Sequence, residues 1–333
     1  MSRNACRSFV DSGVVFCWNY MGVSKGDKMN RTVVISGVKS AMLGLIVGDA
    51  LGVPVEFQNR YELEKEPVEG MIGGGTYNKP KGTWSDDSSL MLATVDGLEG
   101  EFDPDRIMNN FVNWAYDAEY TADGDVFDIG NTTSDAITYY AKEKNFSDKE
   151  GNPANGSLMR ILPIGLKYYD LSAENIKKLS FGISSLTHNH IECKLSCFYY
   201  CLLISFLMRG NHIKSAYLLT NEEFVKHLPK KQEKVFSRLT SGEIDKIKKN
   251  DILSTGYVIH SLESAIWCVL RHKTYKDAVL EAVNLGGDTD TIGAITGGIA
   301  GLVFGDIPKE WIEDIVNLEF IDKIVTKFIK KID

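Results

Sequence analysis

Apolar residues recur at helical spacing in nearly every segment of this chain, and that one period excludes most architectures. The runs are Val33 to Leu51, Ser88 to Leu98, Pro104 to Tyr116, Ser134 to Lys142, Leu158 to Tyr169 and Ser172 to Leu186. They continue through Ile191 to Met208, His212 to Leu219, Tyr257 to Arg271, Tyr275 to Asn284, Thr291 to Phe304 and Glu319 to Ile332. Such spacing lines one face of a helix. Alternating runs bounded by turns are scarce, and no βαβ alternation occurs, so the expectation is an all-α protein. The stretch from Asn221 to Asn250 is lysine-rich and weakly apolar without linker composition, and it reads as a surface excursion rather than a domain boundary. Gly293, Gly297 and Gly301 recur at every fourth position, which gives one helix a flat face for close packing. The triple Gly73-Gly74-Gly75 has no GKS or GKT after it, so it is not a Walker loop and reads as a flexible loop.

Composition excludes several classes of function. With Lys plus Arg 37 against Asp plus Glu 45, the net charge is −8, and the lysine pairs are scattered, which disfavours electrostatic binding of nucleic acid. The apolar stretches around Ala41 to Val55 and Thr291 to Phe304 fall short of the roughly 20 residues that span a bilayer, so no integral membrane role is expected. The six cysteines lack paired CxxC spacing. Cys193, Cys197 and Cys201 share one helix face as small hydrophobes, which fits reduced thiols and a cytoplasmic location. A zinc site from His190 and Cys193 is the rival reading of that face, but one helix cannot readily close a tetrahedral shell. Residues 1–28 form a leader with a weak apolar run, Gly13 to Met21, and no convincing cleavage site; Met21 and Met29 are alternative starts. A monomer is the default.

Two segments place an acidic knot directly before an apolar helix: Gly82-Thr83-Trp84-Ser85-Asp86-Asp87-Ser88-Ser89-Leu90 and Gly286-Gly287-Asp288-Thr289-Asp290-Thr291-Ile292. Capping explains one such residue at a helix start. Four carboxylates and several hydroxyls exceed what capping requires, and hard divalent cations take oxygen ligands. An all-oxygen set favours magnesium or manganese over zinc. A third acidic feature, Gly48-Asp49-Ala50-Leu51-Gly52-Val53-Pro54-Val55-Glu56-Phe57, ends an apolar helix at Gly52 and Pro54 and presents Glu56 either to a cleft or to solvent.

These three segments, in this order, resemble the ADP-ribosylglycohydrolase family, which includes dinitrogenase reductase-activating glycohydrolase, ADP-ribosyl-acceptor hydrolases and J1 crystallin. Asp128-Ile129-Gly130-Asn131-Thr132-Thr133, Asn155-Gly156-Ser157-Leu158-Met159-Arg160 and Ser185-Leu186-Thr187-His188 extend the likeness from about Ala41 to Phe304. The resemblance implies a single-domain orthogonal helical bundle over residues 29–333 that removes ADP-ribose from a modified protein or small molecule. It also implies two magnesium ions, with manganese as a substitute, held by Ser85, Asp86, Asp87, Asp288, Asp290 and Thr291. The implied ADP-ribose pocket is lined by Asp128, Ile129, Gly130, Asn155, Gly156, Ser157, Met159, Arg160, Thr187, His188, Gly286 and Gly287. Backbone amides at a helix start over Asn155 to Ser157 suit a diphosphate. His188 has the alternative role of a helix cap.

Glycosidic cleavage at the distal ribose passes through oxocarbenium-like charge, which a carboxylate and an oriented water assist. Glu56, Asp87 and Asp288 are the catalytic candidates, with the base open between Glu56 and an aspartate. Two rival functions remain. A helical phosphohydrolase or prenyl diphosphate enzyme normally carries His-Asp or Asp-Asp-x-x-Asp, both lacking here. A non-catalytic, crystallin-like relative is disfavoured by the intact acid set. If Glu56 handles a proton, Glu56→Gln lowers turnover by about a hundredfold while ADP-ribose still binds, read by steady-state rates and calorimetry. Unchanged rate and affinity would pass the base to the aspartates, and equal loss of both would make Glu56 a ligand of ribose or metal.

Overall fold

A computed structural model describes residues 31–100 and 102–332, so the expected leader over residues 1–28 lies outside the described residues. In chain order the helices are α1 (Arg31–Gly52), α2 (Arg60–Lys65), α3 (Asp86–Gly97), α4 (Pro104–Asp117), α5 (Asn131–Glu143), α6 (Leu162–Lys167) and α7 (Ala173–Ser185). There follow α8 (Ile191–Met208), α9 (Ile213–His227), α10 (Val258–Arg271), α11 (Tyr275–Val283), α12 (Thr289–Val303), α13 (Lys309–Glu313) and α14 (Leu318–Ile329). Strand pairing among the described residues is limited to two isolated bridges, Gly74 with Lys79 and Ala154 with Tyr257. The all-α expectation is met.

The centre of the bundle is an antiparallel crossing of α1 and α12 in which glycines remove the side chains between two backbones. A Cβ built on Gly44 would lie 2.4 Å from the Gly297 carbonyl oxygen, and one on Gly48 would lie 2.1 Å from that of Gly293. Gly301 faces the Ser40 oxygen at 2.2 Å and Gly52 faces the Asp290 Cα at 2.3 Å on the same measure. The flat face read from Gly293, Gly297 and Gly301 is therefore matched by a second one on α1. Tyr275 of α11 closes the side of the crossing, its hydroxyl donating to the Gly44 carbonyl at 2.6 Å.

Around this pair one contiguous apolar core takes in residues from every long helix. Two stretches, Val34–Val55 from α1 onward and Ile191–Met208 in α8, are long and apolar enough to cross a membrane, where the sequence reading judged the first too short and did not consider the second, yet 72% and 78% of those windows are buried in the bundle. Cys193, Cys197 and Cys201 on α8 are buried free thiols, as expected of small hydrophobes. His190 caps α8, its Nδ1 accepting from the Glu192 amide at 3.2 Å, and Cys193 donates to the Ala154 carbonyl at 3.2 Å, so these two side chains do not converge as zinc ligands.

Three segments depart from the sequence reading. The run Leu158 to Tyr169 is helical only from Leu162, where Pro163 opens α6; a separate turn precedes it. Between Asn221 and Asn250 the chain is more than a surface excursion, because α9 runs on to His227 and short 3-10 turns then sink Phe236, Leu239 and Ile244 into the core. The triple glycine is a packed turn: a Cβ on Gly75 would lie 1.7 Å from the Pro54 oxygen, so its glycines serve close approach as well as conformational freedom.

Gly48→Ala is expected to destabilise the protein by about 3 kcal/mol, because backbone meets backbone and nothing flexible can yield. Gly182→Ala, whose new methyl would meet the Phe102 ring at 3.5 Å within α7, should be neutral or stabilising by up to about 1 kcal/mol. Chemical denaturation of the two variants checks both values; a Gly48→Ala protein as stable as the parent would remove the close crossing as the organising contact.

Candidate functional site

The α1 and α12 crossing brings the C-terminal end of one helix to the N-terminal end of the other, and the site is built where they meet. The Thr289 hydroxyl donates to the Gly52 carbonyl at 2.8 Å, locking these ends together. The chain after Glu56 then hooks onto the loop before α12: the Phe57 amide donates to the Gly287 oxygen at 2.7 Å, and the Gly287 amide donates to the Gln58 oxygen at 2.8 Å. Gly286 and Gly287 have φ of 73° and 78°, and a Cβ on Gly287 would lie 2.0 Å from the Ser254 oxygen, so only glycine fits. Arg60 fastens the hook by donating to the carbonyls of Leu285, Lys249 and Ile252 at 2.9, 2.7 and 2.7 Å. Phe57 is held at φ 67° with its ring 68% exposed, a strained conformation for a bulky residue.

Into this frame α3 inserts its N-terminus. Ser85 caps the helix, its hydroxyl accepting from the Asp87 amide at 3.3 Å. Asp49, near the end of α1, accepts from the amides of Ser85 and Ser88 and from the Ser88 hydroxyl at 3.0, 3.0 and 2.5 Å. It therefore orients the start of α3 as a second cap supplied by another helix. Asp87 Oδ2 accepts from both the Ser85 hydroxyl and the Thr291 hydroxyl at 3.2 Å, which ties α3 to α12. Asp288 Oδ2 accepts from Asn155 Nδ2 at 2.7 Å.

Two carboxylate clusters result. Oxygens of Asp49, Asp87 and Asp290 lie within 4.8 Å of one another, and so do those of Glu56, Asp288 and Asp290. Asp290 belongs to both. Burial first, and neighbouring carboxylates second, push Asp86, Asp87 and Asp290 well above the usual range. Burial and the charge of Asp128 raise Glu56 to about 9. Burial raises Asp49 to about 6 against the hydrogen bonds from Ser88 and Ser85. No cation is among the main influences on Glu56, Asp86, Asp87 or Asp290. Glu56 Oε2, Asp87 Oδ1 and Asp290 Oδ2 are buried with no hydrogen-bond partner. Unpaired buried carboxylate oxygens are costly unless a proton or a cation serves them, and an all-oxygen set of this kind can hold hard metal ions.

Of the segments expected to line a pocket, two reach the carboxylate centre, through Asp128, whose charge acts on Glu56, and Asn155, which bonds Asp288. Asp128 is half-buried at φ 60° and accepts from the Tyr77 hydroxyl at 2.5 Å, while Ile129 and Gly130 lead directly into α5. The turn over Asn155 to Arg160 is not a helix start, but the amides of Gly156 and Ser157 donate to no backbone carbonyl among the described residues. Ser157 and Met159 are buried, and Ser157 shares hydrogen bonds with Ser184 and Cys197. Arg160 is fully buried and bonds to Ile183 and Thr187. His188 is buried beside Gly156 and caps no helix, since His190 takes that place at α8.

Fold and site together define an all-helical protein with a buried carboxylate centre, suited to hard cations, at the meeting of three helix ends. The profile of the ADP-ribosylglycohydrolase family matches residues 30–333, and the chain belongs to that family; family and named relatives together make it a glycosidase-type hydrolase. It is 33% identical over 293 residues to an ADP-ribosylarginine hydrolase of Serratia proteamaculans, covering 86% of this chain and 77% of that one. It is 28% identical over 280 residues to the ADP-ribosyl-[dinitrogen reductase] glycohydrolase of Rhodospirillum rubrum, covering 82% and 87%. A solved structure described as an ADP-ribosylglycohydrolase-related protein complex superposes with a TM-score of 0.76 at 26% identity, covering 91% of this chain and all of its own.

Sequence reasoning passed over Asp49 and Tyr77. For Asp49 a signal existed, a single carboxylate inside the apolar run of α1, whereas Tyr77 carries none, because only the packed glycine turn brings its hydroxyl to Asp128. The raised carboxylates contribute stability that is fully present below the ordinary carboxylate range and is lost as pH rises through about 6 for Asp49 and about 9 for Glu56. In chelator, the Tm should therefore fall as pH climbs from about 5 to about 9. Asp87→Asn should raise the metal-free Tm and flatten that slope, since it removes one of the crowded charges; a slope identical to the parent's would show that Asp87 is not part of the coupled cluster.

Proposed function

We propose that this chain is a magnesium-dependent ADP-ribosyl hydrolase that frees arginine side chains of proteins from ADP-ribose. The observation that carries the metal requirement is the trio of buried, unpartnered oxygens on Glu56, Asp87 and Asp290. Ser85, Asp86, Asp87, Asp288, Asp290 and Thr291 would hold two Mg2+ ions, and Mn2+, similarly hard, should substitute. Bound cations supply charge that orients ribose hydroxyls and water. Arginine as acceptor is supported by relatives described as ADP-ribosylarginine hydrolases, at 33% and 31% identity. Buried free cysteines fit a reducing compartment such as the cytoplasm.

In this reading Glu56, raised to about 9 by burial and the charge of Asp128, would be a carboxylate once cations balance its acidic neighbours, and it takes the proton of the attacking water as the water oxygen bonds to the anomeric carbon. The bond to the guanidine nitrogen breaks with its electron pair going to that nitrogen, which leaves with the proton that Glu56 took from the water. Asp288, fixed by Asn155, and Asp87, fixed by Ser85 and Thr291, hold their carboxylates in place without rearrangement, which lowers the cost of reaching the transition state. Asp49 keeps the α3 terminus in register and acts through Ser85 and Ser88.

Excess chelator should abolish release of ADP-ribose from an ADP-ribosylated arginine peptide, magnesium or manganese should restore it, and zinc should restore little. Full turnover in chelator would overturn the metal requirement. Among peptides modified on arginine or serine, turnover confined to serine would overturn the acceptor, and ADP-ribose binding without turnover of any peptide would favour a binding protein.

A further inference from the structure

Arg160 is the most expensive side chain in the bundle that the catalytic centre does not use. It is 0% exposed, its Nε and Nη1 have no partner, and no carboxylate offsets its charge. Its guanidinium stacks 4.7 Å over the Phe111 ring. Leucine or methionine would fill such a space at far lower cost, because an unpaired buried charge is strongly destabilising. What Arg160 does with its one bonded nitrogen is specific: Nη2 donates to the Ile183 carbonyl at 3.1 Å and to the Thr187 hydroxyl oxygen at 2.9 Å. The same hydroxyl lies 2.8 Å from His188 Nδ1.

Pairing the Thr187 proton selects one arrangement. The Thr187 oxygen accepts from Arg160, and among the described residues the one acceptor within reach of its own proton is His188 Nδ1. A ring with Nδ1 as acceptor carries its proton on Nε2. Burial, reinforced by the Arg160 charge, holds His188 down to about 3, so the ring stays neutral. Among the described residues Nε2 forms no hydrogen bond, and it is not one of the enclosed unpartnered atoms. It lies against the Asn155 to Ser157 turn, where a Cβ on Gly156 would be 3.0 Å from Nε2 and 3.2 Å from the Thr133 hydroxyl. Asn155 of that turn bonds Asp288, which links it to the carboxylate centre.

We infer that Arg160 and Thr187 are positioning residues that set His188 in its neutral Nε2–H form, presenting a fixed donor beside Gly156 to an oxygen of the bound nucleotide. The inference rests on the ADP-ribose reading for the ligand, but the tautomer is a property of the free protein. Arg160 supplies no contact to substrate. Its charge polarises the Thr187 hydroxyl, so the donor is ready before binding and none of its ordering is left to the ligand.

Nitrogen-15 NMR of the imidazoles in the full-length, ligand-free protein, with the signal assigned by its loss in His188→Asn, reads the tautomer directly. Calorimetry with ADP-ribose and magnesium reads the consequence. The wild type should show protonated Nε2 and bare Nδ1. Thr187→Val, which keeps shape but cannot donate, should lose the single tautomer and about tenfold in affinity. Thr187→Ser should recover both, which a purely space-filling role for Thr187 would not require. A proton on Nδ1 in the wild type overturns the inference, and that readout stands even if Thr187→Val fails to fold. Affinity within twofold of wild type in a folded Thr187→Val, or equal losses in Val and Ser variants, also overturns it. No binding of ADP-ribose by wild-type protein that shows the Nε2 proton would strike the functional reading and leave the tautomer assignment intact.

Discussion

The backbone-to-backbone crossing of α1 and α12 is the contact on which the rest of the molecule depends. Its glycines trade side-chain burial for proximity, and in a water-soluble interior that trade is unfavourable unless proximity itself is needed. Here it is. With ordinary side chains at Gly48, Gly52 and Gly293 the axes would separate, and Asp49, next to Gly48, and Asp290, whose backbone meets Gly52, would move apart. The clustering of carboxylates is a consequence of helix packing first, and of local sequence second.

Proximity creates an electrostatic debt that the fold does not settle alone. Carboxylates within 4.8 Å, buried and without cations nearby, can be neutral by protonation or be balanced by metal ions. Hydroxyls of Ser85, Ser88 and Thr291 and the amides at the start of α3 offset part of the repulsion, but they reach only some of the oxygens. Glu56 Oε2, Asp87 Oδ1 and Asp290 Oδ2 stay unserved. The centre is thus less stable than an apolar filling would be, which is the usual relation between a catalytic site and the fold that carries it.

Much of this was legible in the sequence, and the reasons for success and failure differ by element. The long helices announce themselves by apolar period, while α2 and α13, with 6 and 5 residues, are too short to show one. The turns around Phe236 and Leu239 escaped because 3-10 segments bury isolated residues with no repeat. Of the two matching glycine faces only that of α12 was recognised, since Gly44, Gly48 and Gly52 sit in a run already explained by its apolar residues. The acidic knots were readable because each is contiguous, although Thr291 and Asp87 meet across 204 positions of chain. Arg160 and Ser157 adjoin Asn155 in sequence, yet whether they face a pocket or the interior is decided by α7 and α8, to which local spacing is blind.

The site also divides by rigidity, and the division follows its chemistry. Asp87 and Asp290 belong to helix first turns and Asp288 stands at the start of α12 without a side-chain capping bond; groups that must hold charge in a fixed place gain from such frames. Glu56 instead follows a single 3-10 turn and precedes the strained Phe57, on a loop hung from Gly287 by two backbone hydrogen bonds. A loop between two fixed ends can adjust around Glu56 without moving the helices, which suits the proton transfer proposed for it. His188, tied through Thr187 to Arg160, is held by side chains that are themselves fully buried or nearly so.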